Sequence, residues 1–85
     1  MYRYNCAGVC ARSVDFDIKD DGTLTNVSFM GGCAGNLLAI GKLVEGKDAA
    51  EIAEILKGNR CGGKPTSCGD QLAKGIEAAL AQRNA

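Results

Sequence analysis

The chain has 85 residues, with ten acidic and ten basic side chains, and so no formal net charge. A chain of this length can bury only a small core, and we expect residues 1–85 to form one domain. The balanced charge and a pI of about 6.1 argue against a nucleic-acid partner, because such proteins carry a basic surface. There is no long apolar run and no apolar secretory segment at the start, so we expect a cytoplasmic protein without a membrane partner.

The first half of the chain has the alternating pattern of β-strands. A short strand is predicted over residues Tyr2–Cys6, and a longer one from Cys10 to Ile18. The sequence Asp20-Asp21-Gly22 predicts a hairpin turn, followed by a returning strand over Thr23–Met30. Together these segments predict a three-stranded antiparallel meander. The residues expected to share faces are Arg12, Val14 and Phe16 in the second strand, and Val27 and Phe29 in the third.

The second half changes to helical spacing. We expect Asn36 to cap a first helix that Gly46 ends, and Asp48 to cap a second that ends at Gly58. Residues 67–70 are expected to cap a third. Three strands followed by about three helices predict an α+β fold with the helices on one face of the sheet. The predicted apolar stripes are Leu37, Ile40, Leu43 and Val44; Ile52, Ile55 and Leu56; and Leu72, Ile76, Ala79 and Leu80.

Five cysteines and no histidine restrict the chemistry. The lack of histidine excludes Ser-His-Asp catalysis, Cys-His proteases and every histidine-containing metal site. In a reducing compartment this cysteine content indicates metal or thiol chemistry before disulfides. Four of the cysteines lie at the ends of predicted elements, where backbone N–H groups are unpaired. These four, three of them next to a glycine, are Cys10, Cys33, Cys61 and Cys68.

Thiolates are the ligands that select zinc, copper(I) and iron–sulfur clusters. Without histidine, a site with four ligands uses all four cysteines, or three of them and a carboxylate such as Asp70. The spacing is not that of a zinc ribbon, in which cysteines occur in close pairs. The alternative is that individual cysteines pack as small apolar side chains. We favour that interpretation for Cys6, which shares the face of Tyr2 and Tyr4.

The segment from Cys61 to Ala73 resembles the TSCPD-domain family, which is named for a Thr-Ser-Cys-Pro-Asp motif. That motif reads Thr-Ser-Cys-Gly-Asp here, at positions 66–70, with Gly69 in place of the proline. A second departure is Ala34, where similar sequences often have proline. Other segments resemble the small stand-alone branch of the family with four cysteines: Tyr2–Tyr4, Gly8–Cys10, Gly31–Asn36 and Leu43–Gly46. By motif position, the resemblance implies that the family cysteines are Cys10, Cys33, Cys61 and Cys68, and that Cys6 is extra.

Similar domains occur at the C-terminus of vitamin B12-dependent ribonucleotide reductases. The resemblance therefore implies a link to ribonucleotide reduction as an accessory or regulatory module, without the reaction itself. A weaker, fold-level resemblance is to iron–sulfur scaffold proteins of the IscU/NifU type, carried mostly by Phe29–Lys47. On that comparison Cys10, Cys33 and Cys68 are the cluster cysteines, although Cys10 lacks the Gly-Asp that follows it in the scaffolds.

Our first interpretation is a small cytoplasmic protein that binds zinc or an iron–sulfur cluster, in a structural or a transient site. One alternative is a scaffold or carrier that delivers a cluster or sulfur to a protein partner. Another is an enzyme that uses the thiol of Cys68 with Lys64 nearby. Glycine-rich loops at helix starts are also compatible with a bound nucleotide. The sequence does not decide the oligomeric state, and a homodimer is compatible with it.

Overall fold

The computed structural model describes residues 2–9, 11–31, 34–59 and 66–83, with backbone alone for residues 34–36. Three strands form an antiparallel sheet in the order β1-β2-β3, and three helices follow them in the chain. This arrangement confirms the predicted α+β class. The strands are β1 (Tyr2–Asn5), β2 (Ala11–Ile18) and β3 (Leu24–Gly31), and the helices are α1 (Ala34–Val44), α2 (Ala49–Leu56) and α3 (Cys68–Arg83).

The buried core joins the sheet to the helices. Phe16 of β2 is 1% exposed, and its ring stacks against the ring of Tyr2 on the neighbouring strand with centroids 5.6 Å apart. Leu72 and Ile76 of α3 have no exposed surface. The predictions for Val14, Phe16, Leu72, Ile76 and Ala79 are therefore confirmed. The whole cluster comprises Val14, Phe16, Leu24, Val44, Ala49, Ala53, Leu72, Ala73, Ile76 and Ala79.

A β-bulge corrects one prediction for β2. Ala11 pairs with Gly31 and Ser13 pairs with Met30, so β2 holds one extra residue between these two pairs. The bulge reverses the alternation of the strand at that point. As a result Arg12 is exposed and Ser13 is buried, the opposite of what strict alternation predicts.

A second irregularity lies in β3, where Asn26 has a positive φ of 56°. The carboxylate of Glu45, just beyond α1, accepts a hydrogen bond from the Asn26 backbone N–H at 2.9 Å and another from the Thr25 hydroxyl. These bonds, the Thr25 hydroxyl first, hold the pKa of Glu45 below its ordinary value. Asp15 pairs with Ser28 and Asp17 with Thr25, so β3 holds one extra residue between these pairs. The bonds to Glu45 thus fasten this bulge to the end of α1.

Two helix predictions are wrong in detail. Helix α1 begins at Ala34, so Asn36 lies inside its first turn and does not cap it. Leu43 and Ile55, predicted to face the core, are 73% and 71% exposed. Each comes one position before a more buried residue, Val44 and Leu56 respectively. One position rotates a side chain by about 100° around a helix.

The predicted boundaries of α2 are confirmed. The Asp48 side chain accepts a hydrogen bond from the Glu51 backbone N–H at 3.0 Å and caps the helix. Gly58 follows the C-terminal end with a φ of 83°, a conformation that glycine adopts without strain. Along the described stretches, no helix has the length and apolar character needed to cross a membrane.

Helix α3 lies unusually close to the sheet at Gly75. A Cβ atom at that position would be 2.9 Å from Tyr4 Cβ and 3.3 Å from Phe16 Cε1. Tyr4 Cβ is bonded directly to the backbone and cannot move aside as the end of a long side chain can. The distance between α3 and β1 therefore depends on the absence of a side chain at Gly75.

We expect Gly75→Ala to destabilise the fold by about 1–3 kcal/mol, because overpacking outweighs the better helix propensity of alanine. In a domain of this size, each 1 kcal/mol lowers the melting temperature by about 4–8 °C. Thermal unfolding followed by circular dichroism measures the effect.

Gly69→Ala is the matched control in the same helix. A Cβ atom there would be no closer than 3.6 Å to another heavy atom, which is ordinary contact. We expect this variant to melt at or above the temperature of the wild type. Equal destabilisation by both substitutions would contradict the close approach at Gly75.

Candidate functional site

The first turn of α3 is capped by Ser67, as the sequence predicts. The Ser67 hydroxyl oxygen accepts a hydrogen bond from the Asp70 backbone N–H at 3.1 Å, and its carbonyl accepts from the Gln71 N–H at 2.9 Å. The Asn59 side chain donates to the same hydroxyl at 3.2 Å. The cap therefore fixes the start of α3 against the segment that follows α2.

Asp70 ties the two helices together with both of its carboxylate oxygens. Oδ1 accepts a hydrogen bond from the Gly58 backbone N–H at 2.7 Å, and Oδ2 accepts one from the buried Thr66 hydroxyl. Lys74 lies one turn later, with its Nζ 3.3 Å from Oδ2. The bond from Thr66, then that from Gly58, holds the pKa of Asp70 below its ordinary value, although burial opposes this.

Gln71 connects this cluster to the other end of the chain. Its Nε2 donates to the Thr66 hydroxyl oxygen at 2.9 Å, and its Oε1 accepts from the Ala7 backbone N–H at 3.1 Å. Ala7 belongs to the turn between β1 and β2. The roles of Thr66 and Gln71 could not be predicted from the sequence, because a contact between positions 7 and 71 leaves no local pattern.

Four polar side chains close to Cys68 in the chain are thus engaged within the fold. They are Thr66, Ser67, Asp70 and Gln71, and each is at most 6% exposed. Cys68 itself is the first residue of α3 and is half-buried. The polar cluster, defined as residues 66, 67, 70 and 71, therefore holds the cysteine in a fixed position at the helix N-terminus.

The other predicted ligands, Cys10, Cys33 and Cys61, lie outside the described residues, as does Lys64. Within residues 2–9, 11–31, 34–59 and 66–83, no three side chains of the metal-ligating types come together. The described part of the predicted set is Cys68 and Asp70. Of these, Asp70 already uses both oxygens to join α2 to α3.

Cys6 packs as the sequence predicts, but it also lies near Cys68, which the sequence does not indicate. It is half-buried and packs against the core, as expected. The pKa of its thiol is raised, first by burial and then by the charge of Cys68. The two cysteines therefore lie within electrostatic reach of each other, which no spacing in the sequence indicates.

The described residues next to the predicted ligands meet at one end of the sheet. Ala11 pairs with Gly31, so the start of β2 and the end of β3 are adjacent. At Gly8, in the turn before β2, the position that a Cβ would take is 3.3 Å from Thr66 Cγ2, just before α3. The end of β3, the β1–β2 turn and the start of α3 are therefore neighbours.

We expect Asp70→Asn to destabilise the fold by about 1–3 kcal/mol, because the amide replaces one charged acceptor with a donor facing Thr66 and Lys74. Folding lowers the pKa of Asp70, so its stabilisation is fully present above the ordinary aspartate pKa. It is lost as the pH falls through the lowered value. Melting curves of the two proteins should therefore converge in acid.

Asp15→Asn is the control for this substitution. Asp15 accepts two hydrogen bonds from Arg3, at 2.7 and 3.0 Å, in an exposed ion pair. Exposed pairs contribute up to about 1 kcal/mol, so we expect a smaller loss. Asp70→Asn would fail as a test of the buried cluster if it destabilised the fold no more than Asp15→Asn.

Comparison with known proteins gives one result that covers nearly the whole chain. No curated protein and no solved structure matches the chain significantly. The family model of the TSCPD domain matches residues 2–80. The Thr-Ser-Cys-Gly-Asp segment at residues 66–70 lies within this match, in the capped turn that carries Cys68. The chain belongs to the TSCPD domain family.

Proposed function

We propose that this domain binds a metal through thiolates at the N-terminus of α3, with Cys10, Cys33, Cys61 and Cys68 as ligands. The metal is zinc or the iron of an iron–sulfur cluster, the partners that sulfur ligands select. The observation that supports the proposal is the meeting of the β1–β2 turn, the end of β3 and the start of α3 at one end of the sheet.

Covalent geometry links this observation to the predicted ligands. Consecutive Cα atoms are about 3.8 Å apart, so a residue stays near its neighbours in the chain. Cys10 directly precedes Ala11, and Cys33 comes two positions after Gly31. Ala11 and Gly31 are paired across the sheet. This pairing supports a shared site for the two cysteines.

The surroundings of Cys68 support a ligand role for its sulfur. The N-terminus of a helix favours a negatively charged group and lowers the pKa of a cysteine placed there. Asp70, the carboxylate alternative, has both oxygens occupied by donors of the chain itself. A metal ion on Asp70 would have to share these oxygens with the donors that already bind them. The arrangement therefore favours the set of four cysteines over three cysteines and Asp70.

Two roles follow from such a site. A permanent metal ion would be structural and would join the sheet to α3. A transient one would pass metal, a cluster or sulfur to a protein partner, in cluster assembly or beside a ribonucleotide reductase. The identity of a protein partner stays a prediction, and so does the scaffold role that the resemblance to IscU/NifU-type proteins implies.

We expect the anaerobically purified protein to contain stoichiometric metal. Because Cys68 is a proposed ligand, Cys68→Ser should reduce the metal content, and so should Cys10→Ser, Cys33→Ser and Cys61→Ser. Elemental analysis of each purified variant measures this. The matched control is Cys6→Ser, a change of the same kind outside the proposed set, which should leave the metal content unchanged.

An equal loss of metal in Cys6→Ser would show that the ligands are wrongly assigned. A brown protein with visible absorbance would indicate an iron–sulfur cluster, and a colourless one with bound metal would indicate zinc. A metal-free protein with one highly reactive thiol would contradict the proposal and favour a thiol enzyme based on Cys68.

Removal of the metal should destabilise the fold. Binding to the folded state alone adds its free energy to folding, and this chain has few large apolar side chains. We expect chelation to lower the melting temperature by at least about 10 °C, since a structural metal contributes many kcal/mol. Equal melting temperatures with and without metal would exclude the structural role and leave the transient one.

A further inference from the structure

The chain runs past α3 in a defined direction after β1. Tyr4 lies against Gly75, and three residues later the Ala7 backbone N–H bonds the Gln71 side chain at 3.1 Å. The segment from Tyr4 to Ala7 therefore passes from the second turn of α3 towards its first. Cys6 lies between these two contacts in the chain and shares the parity of Tyr4.

The next contact continues the same path to the start of the helix. Gly8 packs against Thr66, which comes two residues before Cys68. Cys6 and Cys68 are thus enclosed by contacts that join the β1–β2 turn to the first turn of α3. The segment that carries Cys6 therefore lies beside the first turn of α3, which carries Cys68. The charge of Cys68 adds to the effect of burial in raising the pKa of the Cys6 thiol, so the two side chains are within electrostatic range.

From this arrangement we propose that Cys6 and Cys68 form a redox pair, which a low-molecular-weight disulfide converts to an intramolecular disulfide. The inference does not rest on the metal site. It gives Cys6, the cysteine outside the proposed ligand set, a chemical role. A metal ion on Cys68 would hold the sulfur lone pair and so protect the pair from oxidation.

The reaction proceeds by two exchanges. The Cys68 thiolate attacks one sulfur of the oxidant, forms a mixed disulfide and releases one thiol of the oxidant. The Cys6 thiol loses its proton to solvent and attacks the Cys68 sulfur, which closes the intramolecular bond and releases the second thiol. Two electrons pass from the protein to the oxidant, whose single disulfide becomes two thiols.

The helix sets the order of these steps. Cys68 is at the N-terminus of α3, where backbone N–H groups favour the thiolate, so it attacks first. Cys6 is not part of a helix, so its backbone N–H groups do not stabilise a thiolate in this way, and it acts as the resolving thiol. A disulfide requires Cα atoms about 4.4–6.8 Å apart, so its formation reports directly on the packing of the turn against α3.

The test uses the full-length chain, reduced, treated with a chelator, freed of reductant and then incubated with oxidised glutathione. Trypsin digestion under non-reducing conditions is followed by mass spectrometry. Tryptic cleavage places Cys6 and Cys10 together in the peptide of residues 4–12. It places Cys61 and Cys68 together in the peptide of residues 61–74, because Lys64 precedes proline. We expect these two peptides to be joined by a disulfide.

Substitutions then assign the bond. Cys10 and Cys61 are replaced first, because the proposed metal site brings them close to Cys68 and either could form a disulfide with it once the metal is removed. The Cys10→Ser/Cys61→Ser double variant should keep the two peptides joined, whereas adding Cys6→Ser should leave the second peptide carrying glutathione instead. Cys6→Ala, which keeps an apolar side chain at this half-buried position, should give the same loss. Circular dichroism of each variant confirms that it folds.

Separate peptides in the double variant would overturn the inference, as would no joined peptide in the wild type. The triple variant, which has no cysteine in the first peptide, gives the background. The same variants separate the inference from the metal proposal. Cys6→Ser should retain metal, whereas the Cys10→Ser/Cys61→Ser double variant should lose metal and keep the disulfide between Cys6 and Cys68. Failure of one proposal is therefore visible independently of the other.

Discussion

The buried carboxylate of Asp70 is the interaction on which the start of α3 depends. One oxygen accepts the backbone N–H of Gly58 at the end of α2, and the other accepts the Thr66 hydroxyl just before α3. Thr66 in turn accepts a hydrogen bond from Gln71, whose side chain also binds the turn after β1. A short series of bonds thus fixes α2, α3 and the β1–β2 turn relative to one another, with Cys68 at their junction.

Most residues of the Thr-Ser-Cys-Gly-Asp motif have a structural role. Ser67 caps the helix, Asp70 joins two helices, and Thr66 connects Asp70 to Gln71. Cys68 differs from these neighbours because its side chain brings reactive sulfur chemistry to the turn that they hold. A fixed thiol at a helix N-terminus suits both a metal ligand and a nucleophile. The two proposals assign these two kinds of chemistry to the same sulfur.

Local patterns in the sequence predicted the element order and much of the core. The alternation around Val14 and Phe16 and the cap at Asp48 each depend on neighbours in the chain, and both predictions are confirmed. The bulge that exposes Arg12 arises from the pairing of two strands, so the pattern within one strand cannot reveal it. The bond between Ala7 and Gln71 and the proximity of Cys6 to Cys68 are likewise long-range. The site could therefore be predicted as a set of cysteines, but not as a packed cluster.

We propose above all that sulfur atoms of this chain hold a metal at the N-terminus of α3. X-ray absorption spectroscopy of the anaerobically purified protein tests it most directly, because the spectrum reports which atoms surround the metal. If the metal is zinc, we expect four sulfur atoms bound to it at zinc–sulfur distances of about 2.3 Å. For iron, we expect sulfur neighbours with a further iron shell. A first shell of oxygen or nitrogen at about 2.0–2.2 Å would contradict the proposal, as would a protein with no stoichiometric metal.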